Sequence, residues 1–492
     1  MREQKSMSDA VTRRAFLAAL CRAASIPAAG AAVVGFDPER RSWAADESEG
    51  PLVGLPRLDG TLVLDAAALD EMSQDNGRIV SRRPLAVLRP GGTDDLLRMV
   101  RYANEHGIKI AVRGQGHSSF GQAQVEAGIV IDSRPLRRIR NVGQRTVLVG
   151  AGATWDEVLA ATLPRGLTPP VLPDTQVLTV GGTLSVGGTG NASHRHGAIV
   201  DHVRLLTVLT GGGRMVACSE RRERELFEMA LAGLGQCGII TSADLDLVAA
   251  PAEVVLRDFD YADLDAFLDD QRALAREGQT DHLGGRVLLK GDRRFRLIVG
   301  SFLGGGHGTK AAAPPLRGTP AGPERRLPYL DYLHRTLALI ERGKQSGSWW
   351  WPSPSAMFFV PDSDARAFVT DALADPVHLE GTELFEGFAF LACPTRHFTR
   401  PLLPFPKEPL AFQAWIIRRA PKERVGAVLQ ANLALWERVK AKGGERYAGY
   451  GAVPFTPAHW ARHYGPATWA RLAAAKKAHD PNGILTPGPG MF

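Results

Sequence analysis

Residues 113–118 read RGQGHS directly after a short apolar run at 108–112, and residues 179–197 read TVGGTLSVGGTGNASHRHG. Glycine has no Cβ, so a backbone rich in it can approach a phosphorylated ligand closely and present successive N–H groups. Gly114, Gly116, Gly181, Gly182, Gly187, Gly188 and Gly190 meet that demand. None falls into G-x-G-x-x-G behind a first strand, so the dinucleotide-binding fold built on that fingerprint is disfavoured. Together the two segments read as ligand-binding loops, with ordinary turns as the alternative, and the second is a long run of N–H groups with few side chains in the way.

From residue 84 to 251, short apolar runs alternate with amphipathic stretches, an α+β or α/β pattern. Thr93 is expected to cap a helix with the face Leu96, Leu97, Val100 and Ala103, which Gly107 ends. A strand at 108–112 then feeds RGQGHS. Further strands are expected at 129–131 and 147–149. Thr154 and Glu157 form a capping box for a helix through Val158, Leu159 and Leu163. A proline-rich loop at 164–174 delivers Asp174 to the edge of the second glycine segment. Residues 203–209, the turn Gly211-Gly212-Gly213 and residues 215–218 read as a hairpin. A helix around Leu226 and a strand at 239–247 follow.

A chain of 492 residues exceeds one compact core, so more than one domain is expected. Pro251-Ala252 is a plausible boundary. Beyond it, strands at 286–289, 295–302, 384–391 and 410–417 alternate with helices at 329–341 and 425–439. Residues 304–325 crowd glycine and proline without periodicity and read as a mobile surface insertion. A helix opened by Pro466 and stopped at Asp480-Pro481 precedes the tail ILTPGPGMF.

The N-terminus carries a separate message. Thr12-Arg13-Arg14-Ala15-Phe16-Leu17 precedes an alanine-rich apolar run broken by Arg22 and Pro27, with small residues near Ser42-Trp43-Ala44. This resembles a bacterial twin-arginine export signal, removed near residue 45, and implies the twin-arginine export machinery as a partner and a periplasmic or secreted destination. That route carries folded, cofactor-loaded proteins. Of the formal charge of +7, residues 1–44 contribute seven Lys/Arg against four Asp/Glu, which leaves +4 on the remainder. With no basic run interleaved with aromatics, nucleic acid is not expected as a partner. Apart from Cys21 in the signal, Cys218, Cys237 and Cys393 are widely spaced and odd in number, so no disulfide framework is read. His194 and His196 lack a third ligand, and no metal site is expected.

RGQGHSSFGQ, LPDTQVLTVGGTLSVGG, RHG at 195–197, LFEMALAGLGQCGIIT at 226–241 and the C-terminal W-x-x-H-x-G with DPNGILTPG together resemble the vanillyl-alcohol-oxidase type (PCMH-type) flavoproteins, and within them the cytokinin dehydrogenases. The likeness covers most of 84–252 and 447–492. It implies an α+β fold: a two-part PCMH-type FAD-binding domain, residues 46–251 and 447–492, with an inserted substrate domain at 252–446 built on an antiparallel sheet with helices.

In that family the histidine of GHS is bonded to the flavin 8α-methyl carbon, which assigns covalent FAD attachment to His117. The flavin contacts carry over to Arg113, Gly114, Gln115, Gly116, Ser118 and Gln122 in the first segment. In the second they fall on Asp174, Thr179, Ser185 and Thr189, with Ile240 from the following strand. Tyr447 and Thr486 take the C-terminal positions, and Pro489 stands where a glutamine is usual. With no cysteine between 177 and 197, a single tether is expected.

Asp174 aligns with the aspartate that the cytokinin enzymes place beside the substrate amine. The resemblance implies an exported FAD-dependent oxidoreductase that oxidises the C–N bond of a secondary amine, of the N6-alkyl adenine type. Hydride passes to flavin N5, the imine hydrolyses, and oxygen or a quinone serves as electron acceptor. A sugar, alcohol or other small-molecule oxidase on the same scaffold is one alternative, and a non-catalytic flavin- or ligand-binding protein is another. GSWWWPSPSAMFFVP at 347–361 resembles the family's substrate-pocket motif, but Ser353, Ser355 and Met357 replace its histidine, tryptophan and asparagine, and Ala448 replaces a leucine. An altered cavity is expected. Trp349, Trp350 and Trp351 cannot all face it.

Overall fold

The computed structural model describes residues 33–37, 42–45, 55–278, 280–289, 294–305 and 315–492. The twin-arginine motif and Cys21 lie outside the described residues. Of the N-terminal segment, Val33–Asp37 pairs antiparallel with Ser42–Ala45.

Three sheets carry the α+β architecture. In the first, Ala86–Arg89 and Ile110–Arg113 flank Ile129–Asp132 in parallel, and Thr61–Val63 adds antiparallel at the edge. The helix Thr93–His106 makes the crossover between the first two, and Gly107 ends it in the left-handed region at φ 64°. Thr93 is its first helical residue and not its cap; Gly92 takes the cap position without a side-chain bond. Asp95 in the first turn is fully buried and accepts from the N–H groups of Asp59, Gly60 and Gly91, which fixes the helix entry instead.

The second sheet is antiparallel, ordered Met215–Cys218, Val203–Leu209, Ile239–Asp246, Thr146–Gly150 and Ile139–Arg140. Its hairpin lies where the glycine turn places it. The helix Trp155–Thr162 opens with the full Thr154/Glu157 capping box, while Leu163 begins a following 3-10 turn. The second glycine segment departs from expectation: Val180–Val186 is a helix, capped by the Thr179 hydroxyl, which accepts from the Gly182 N–H. Glycine costs helical stability. Here it is required, because a Cβ on Gly181 would come within 2.6 Å of the Ala151 Cβ, so the glycine lets the helix sit directly on the sheet.

The third sheet runs Thr319–Pro320, Glu253–Tyr261, Phe295–Leu303, His282–Leu288, Gly387–Pro394, Leu410–Ile416, Ala356–Pro361 and Glu445–Arg446, with Arg325–Pro328 also paired to Glu253–Tyr261. Alternation along Gly387–Pro394 shows its two faces. Phe388, Phe390 and Ala392 pack with Phe267, Phe368 and Trp436 from the helices Leu264–Glu277, Ala365–Ala374 and Val425–Ala441, whereas Ala389 and Leu391 point the other way. The expected strand at 384–391 begins at Gly387, because Glu386 at φ 58° and Gly387 at φ 131° interrupt the extended chain. The expected helix at 329–341 is two, Tyr329–Leu333 and Leu337–Gln345, with Arg335 and Thr336 at the break. Within the expected insertion, residues 306–314 lie outside the described residues, and Thr319–Pro320 is an edge strand.

The C-terminal tail returns to the first sheet. Ile110 donates to the Ile484 carbonyl at 2.8 Å and its own carbonyl accepts from Thr486 N–H at 2.7 Å, which extends the sheet beside the strand that feeds RGQGHS. Asp480, buried and paired with Lys476 at 2.6 Å, accepts the N–H groups of Ile484 and Leu485 and holds the tail in place.

Candidate active site

The strand Ile110–Arg113 ends in a loop whose turn needs glycine at 116, with φ 65°. A Cβ on Gly114 would meet the Thr179 hydroxyl at 2.1 Å, so the two glycine-rich segments touch only because residue 114 has no side chain. Around this junction opens one cavity of about 600 Å³, within the range of small-molecule sites, that continues to the inserted sheet. Residues 114–118 and Gln122 line it from the first segment, and Thr179, Ser185 and Thr189 from the second. Ile240, Tyr447, Thr486 and Asp174 also line it. The Tyr447 hydroxyl accepts from the Gly188 N–H at 2.9 Å, and the Thr486 hydroxyl donates to the Gly235 carbonyl at 3.1 Å.

Arg113 and Pro489 stand apart from this group. The Arg113 guanidinium lies behind the loop, donating to the Gln74 carbonyl, and its place is to support Gly116 from below. The Pro489 carbonyl accepts from the Trp460 indole at 3.0 Å, away from the cavity wall.

His117 opens onto the cavity and stacks on Tyr450 with ring centroids 5.5 Å apart. Burial, reinforced by the nearby Arg419 charge, pushes its pKa down to about 4. The imidazole is therefore neutral at ordinary pH, with a free lone pair for bond formation. Arg419 lies over the Trp349 ring at 4.4 Å and donates to the carbonyls of Asn76 and Trp351.

Beneath the loop sits a carboxylate that sequence reasoning missed. Asp75 accepts from the Gly77 N–H at 3.0 Å, the Gly121 N–H at 2.7 Å and the Ser118 hydroxyl at 3.1 Å. The backbone of the same stretch donates to the carbonyls of Gly116 and Ser118, so Asp75 fixes the shape of the GHS turn. Burial pushes its pKa up to about 6 against these bonds. A carboxyl raised in this way binds its proton more tightly folded than unfolded, so it favours folding at low pH and that contribution is lost as pH rises through about 6. Thermal melts from pH 4 to 7 should show wild type losing roughly 2 kcal/mol of stability relative to Asp75→Asn. The difference between the two proteins cancels the opposite slope from buried histidines; parallel curves would contradict the burial effect.

Asp174 is held from both domains. Arg335 and Asn191 donate to Oδ1 at 2.5 and 2.7 Å, and the Thr336 hydroxyl donates to its backbone carbonyl at 2.8 Å. These bonds explain the helix break at 334–336. They leave Oδ2 without a protein hydrogen-bond donor among the described residues. The side chain is thus not spent on a local Asx turn. Behind it, His282 meets the Tyr332 hydroxyl at 2.8 Å, and burial holds the imidazole neutral.

The substrate-pocket expectations need correction. Ser353 and Ser355 are fully buried outside the cavity lining, where they bond each other and the backbone of Arg418. Ala448 is likewise buried behind the wall, while Gly449 and Tyr450 face it. Of the substituted positions only Met357 lines the cavity. Trp349 is the tryptophan that faces it; Trp350 and Trp351 are 57% and 47% exposed, with Arg78 over the Trp350 ring. Both His194 ring nitrogens face backbone carbonyls, of Asn191 and Thr280, which leaves neither for a metal.

Comparison with known proteins matches this geometry. Residues 84–219 match the family described as "FAD binding domain". Residues 323–492 match the family described as "Cytokinin dehydrogenase 1, FAD and cytokinin binding". The chain is 32% identical to an uncharacterized oxidoreductase in the fasciation locus of Rhodococcoides fascians, over 88% of this chain and 99% of that protein. It is 32% identical to cytokinin dehydrogenase 8 of Oryza sativa subsp. indica, over 85% and 90% of the two chains. Cytokinin dehydrogenase 4 of Arabidopsis thaliana is 27% identical, over 90% and 95%. With its glycine-lined cavity shared between two domains, the chain is an FAD-binding enzyme and belongs to the cytokinin dehydrogenase family of FAD-linked oxidoreductases.

Proposed function

We propose that the enzyme oxidises the C–N bond of a secondary amine of the N6-alkyl adenine type. The observation that carries this reading is one continuous cavity in which a glycine-lined cradle and a neutral His117 share space with a carboxylate, Asp174, whose Oδ2 has no protein donor. Residues 114–118, Gln122, Thr179, Ser185, Thr189, Ile240, Tyr447 and Thr486 would hold FAD, and His117 would tether it; a cradle closed by a Cβ at 114 fits a ligand that needs close backbone approach.

Bound FAD supplies the two-electron acceptor for hydride from the carbon attached to nitrogen, and oxygen or a quinone takes those electrons onward. Asp174 accepts the substrate N–H, first as a hydrogen bond and then as the proton, so the electron pair left on nitrogen drives hydride departure. Arg335 and Asn191 keep that carboxylate oriented. Water then adds to the imine, giving the free amine and an aldehyde. Trp349, Trp415 and Met357 offer apolar surface for a planar ring. The motif at 12–17 supports export to the periplasm or beyond with the flavin already in place.

The direct test is an anaerobic screen of the holoenzyme against N6-isopentenyladenine, other secondary amines, sugars and alcohols. Bleaching of the oxidised flavin by the adenine is expected. Bleaching by sugars or alcohols alone would replace this reading with an alcohol-oxidising one.

A further inference from the structure

Arg286 stands on the cavity floor with no evident protein reason for its charge. It occupies a row of directly paired residues across the inserted sheet, opposite Arg296 on one side and Ala389 on the other. Ala389 is opposite Trp415, and Trp415 opposite Met357. Like charges directly opposed on neighbouring strands destabilise a sheet. Arg296 is neutralised by two bonds to Asp260, at 2.7 and 3.1 Å. Arg286 donates from Nη1 to the Phe385 carbonyl at 2.7 Å, and among the described residues no carboxylate lies within ion-pair distance of it. Burial lowers its pKa, and Arg296 and Arg335 add to that effect, while Glu386 and Asp174 oppose it from a distance.

The cavity wall carries further cations. Arg325 and Arg335 are matched by Asp258 and Asp174. Arg342 and Arg419 also line the cavity without a carboxylate at ion-pair distance among the described residues. A partly buried guanidinium with unused donors is costly unless another anion supplies the missing partner. The protein retains it beside an apolar row suited to a planar ring.

We infer that the substrate carries an anionic group, a carboxylate or a phosphate ester, and that Arg286 binds it. The inference rests on the amine-oxidising reading of the same cavity and narrows its substrate class. The guanidinium fork pairs with two oxygens of either group, and Ala389, Trp415 and Met357 extend from it as the surface for the ring.

Equilibrium titration of the holoenzyme, followed by perturbation of the flavin absorbance, tests this without turnover. The probes are adenosine against adenosine 5′-monophosphate and 9-methyladenine against 9-carboxymethyladenine, none of which has a carbon on N6 to oxidise, on wild type, Arg286→Gln and Arg286→Lys. At least one anionic probe is expected to bind wild type about tenfold or more tightly than its neutral counterpart. Arg286→Gln should abolish that selectivity and Arg286→Lys restore part of it. Preference for the monophosphate identifies a phosphate ester; preference for the carboxymethyl compound identifies a carboxylate. Absence of selectivity for either anion, or selectivity that survives Arg286→Gln, overturns the proposal. Because binding is read directly, arginine-dependent selectivity together with no bleaching by any amine would remove the reaction and keep the anion site.

Discussion

His117→Ala is expected to yield protein whose acid precipitate is colourless, whereas the wild-type precipitate stays yellow. Acid unfolding releases a cofactor held by shape and hydrogen bonds but not one held by a bond. The imidazole is the fitting nucleophile because its pKa is pushed down to about 4, so protonation does not compete for its lone pair. No cysteine lines the cavity among the described residues: Cys218, Cys237 and Cys393 are buried elsewhere, with thiols pushed up to about 12. The variant therefore has no second attachment to fall back on, and the covalent fraction should drop from near complete to none. Flavin bound without a tether should still sit in the glycine cradle, so the native variant leaves the column yellow. A yellow acid precipitate from His117→Ala would place the bond on another side chain.

Asp174→Asn should keep the flavin and slow its anaerobic reduction by substrate on the order of 10²- to 10⁴-fold, the range for loss of one proton-accepting group. The amide preserves size and can still accept from Asn191 at Oδ1, but it cannot take the substrate proton. It also leaves Arg335 without its carboxylate, a change that costs stability. Melting temperature and single-turnover rate must therefore be read together. A lower melting temperature with a reduction rate within a few-fold of wild type would make Asp174 a structural anchor between the domains and nothing more.

What the sequence made legible was local chemistry. The Thr154/Glu157 box and the Gly211–Gly213 turn act within a few residues, and both elements stand where their signals place them. The helix Val180–Val186 was hidden by its own glycines: intrinsic propensity argues against it, and only contact with Ala151 on the sheet requires them. Asp75 gave no signal because its partners, Ser118 and Gly121, lie more than forty positions away. Arg335 and Arg286 were equally silent, since a charged residue on an amphipathic stretch reads as solvent-facing until the other domain is in place. The Ser353 and Ser355 substitutions illustrate the converse. Their alignment with pocket residues was clear, but side-chain size decides where a strand end settles, and two small hydroxyls turned inward to the Arg418 backbone.

The pairing of Ile110 with residues 484–486 sets an order of events during synthesis. The strand that presents the GHS turn emerges from the ribosome early, yet its edge partner is made more than 370 positions later, as the contact between Lys109 and Gly483 records. At ~5–20 residues per second, that interval is roughly 20–70 s. Thr486, which closes the cavity wall, arrives with it. Cofactor loading is thus a late step, and any flavin bond at residue 117 is made after translation has passed residues 484–486.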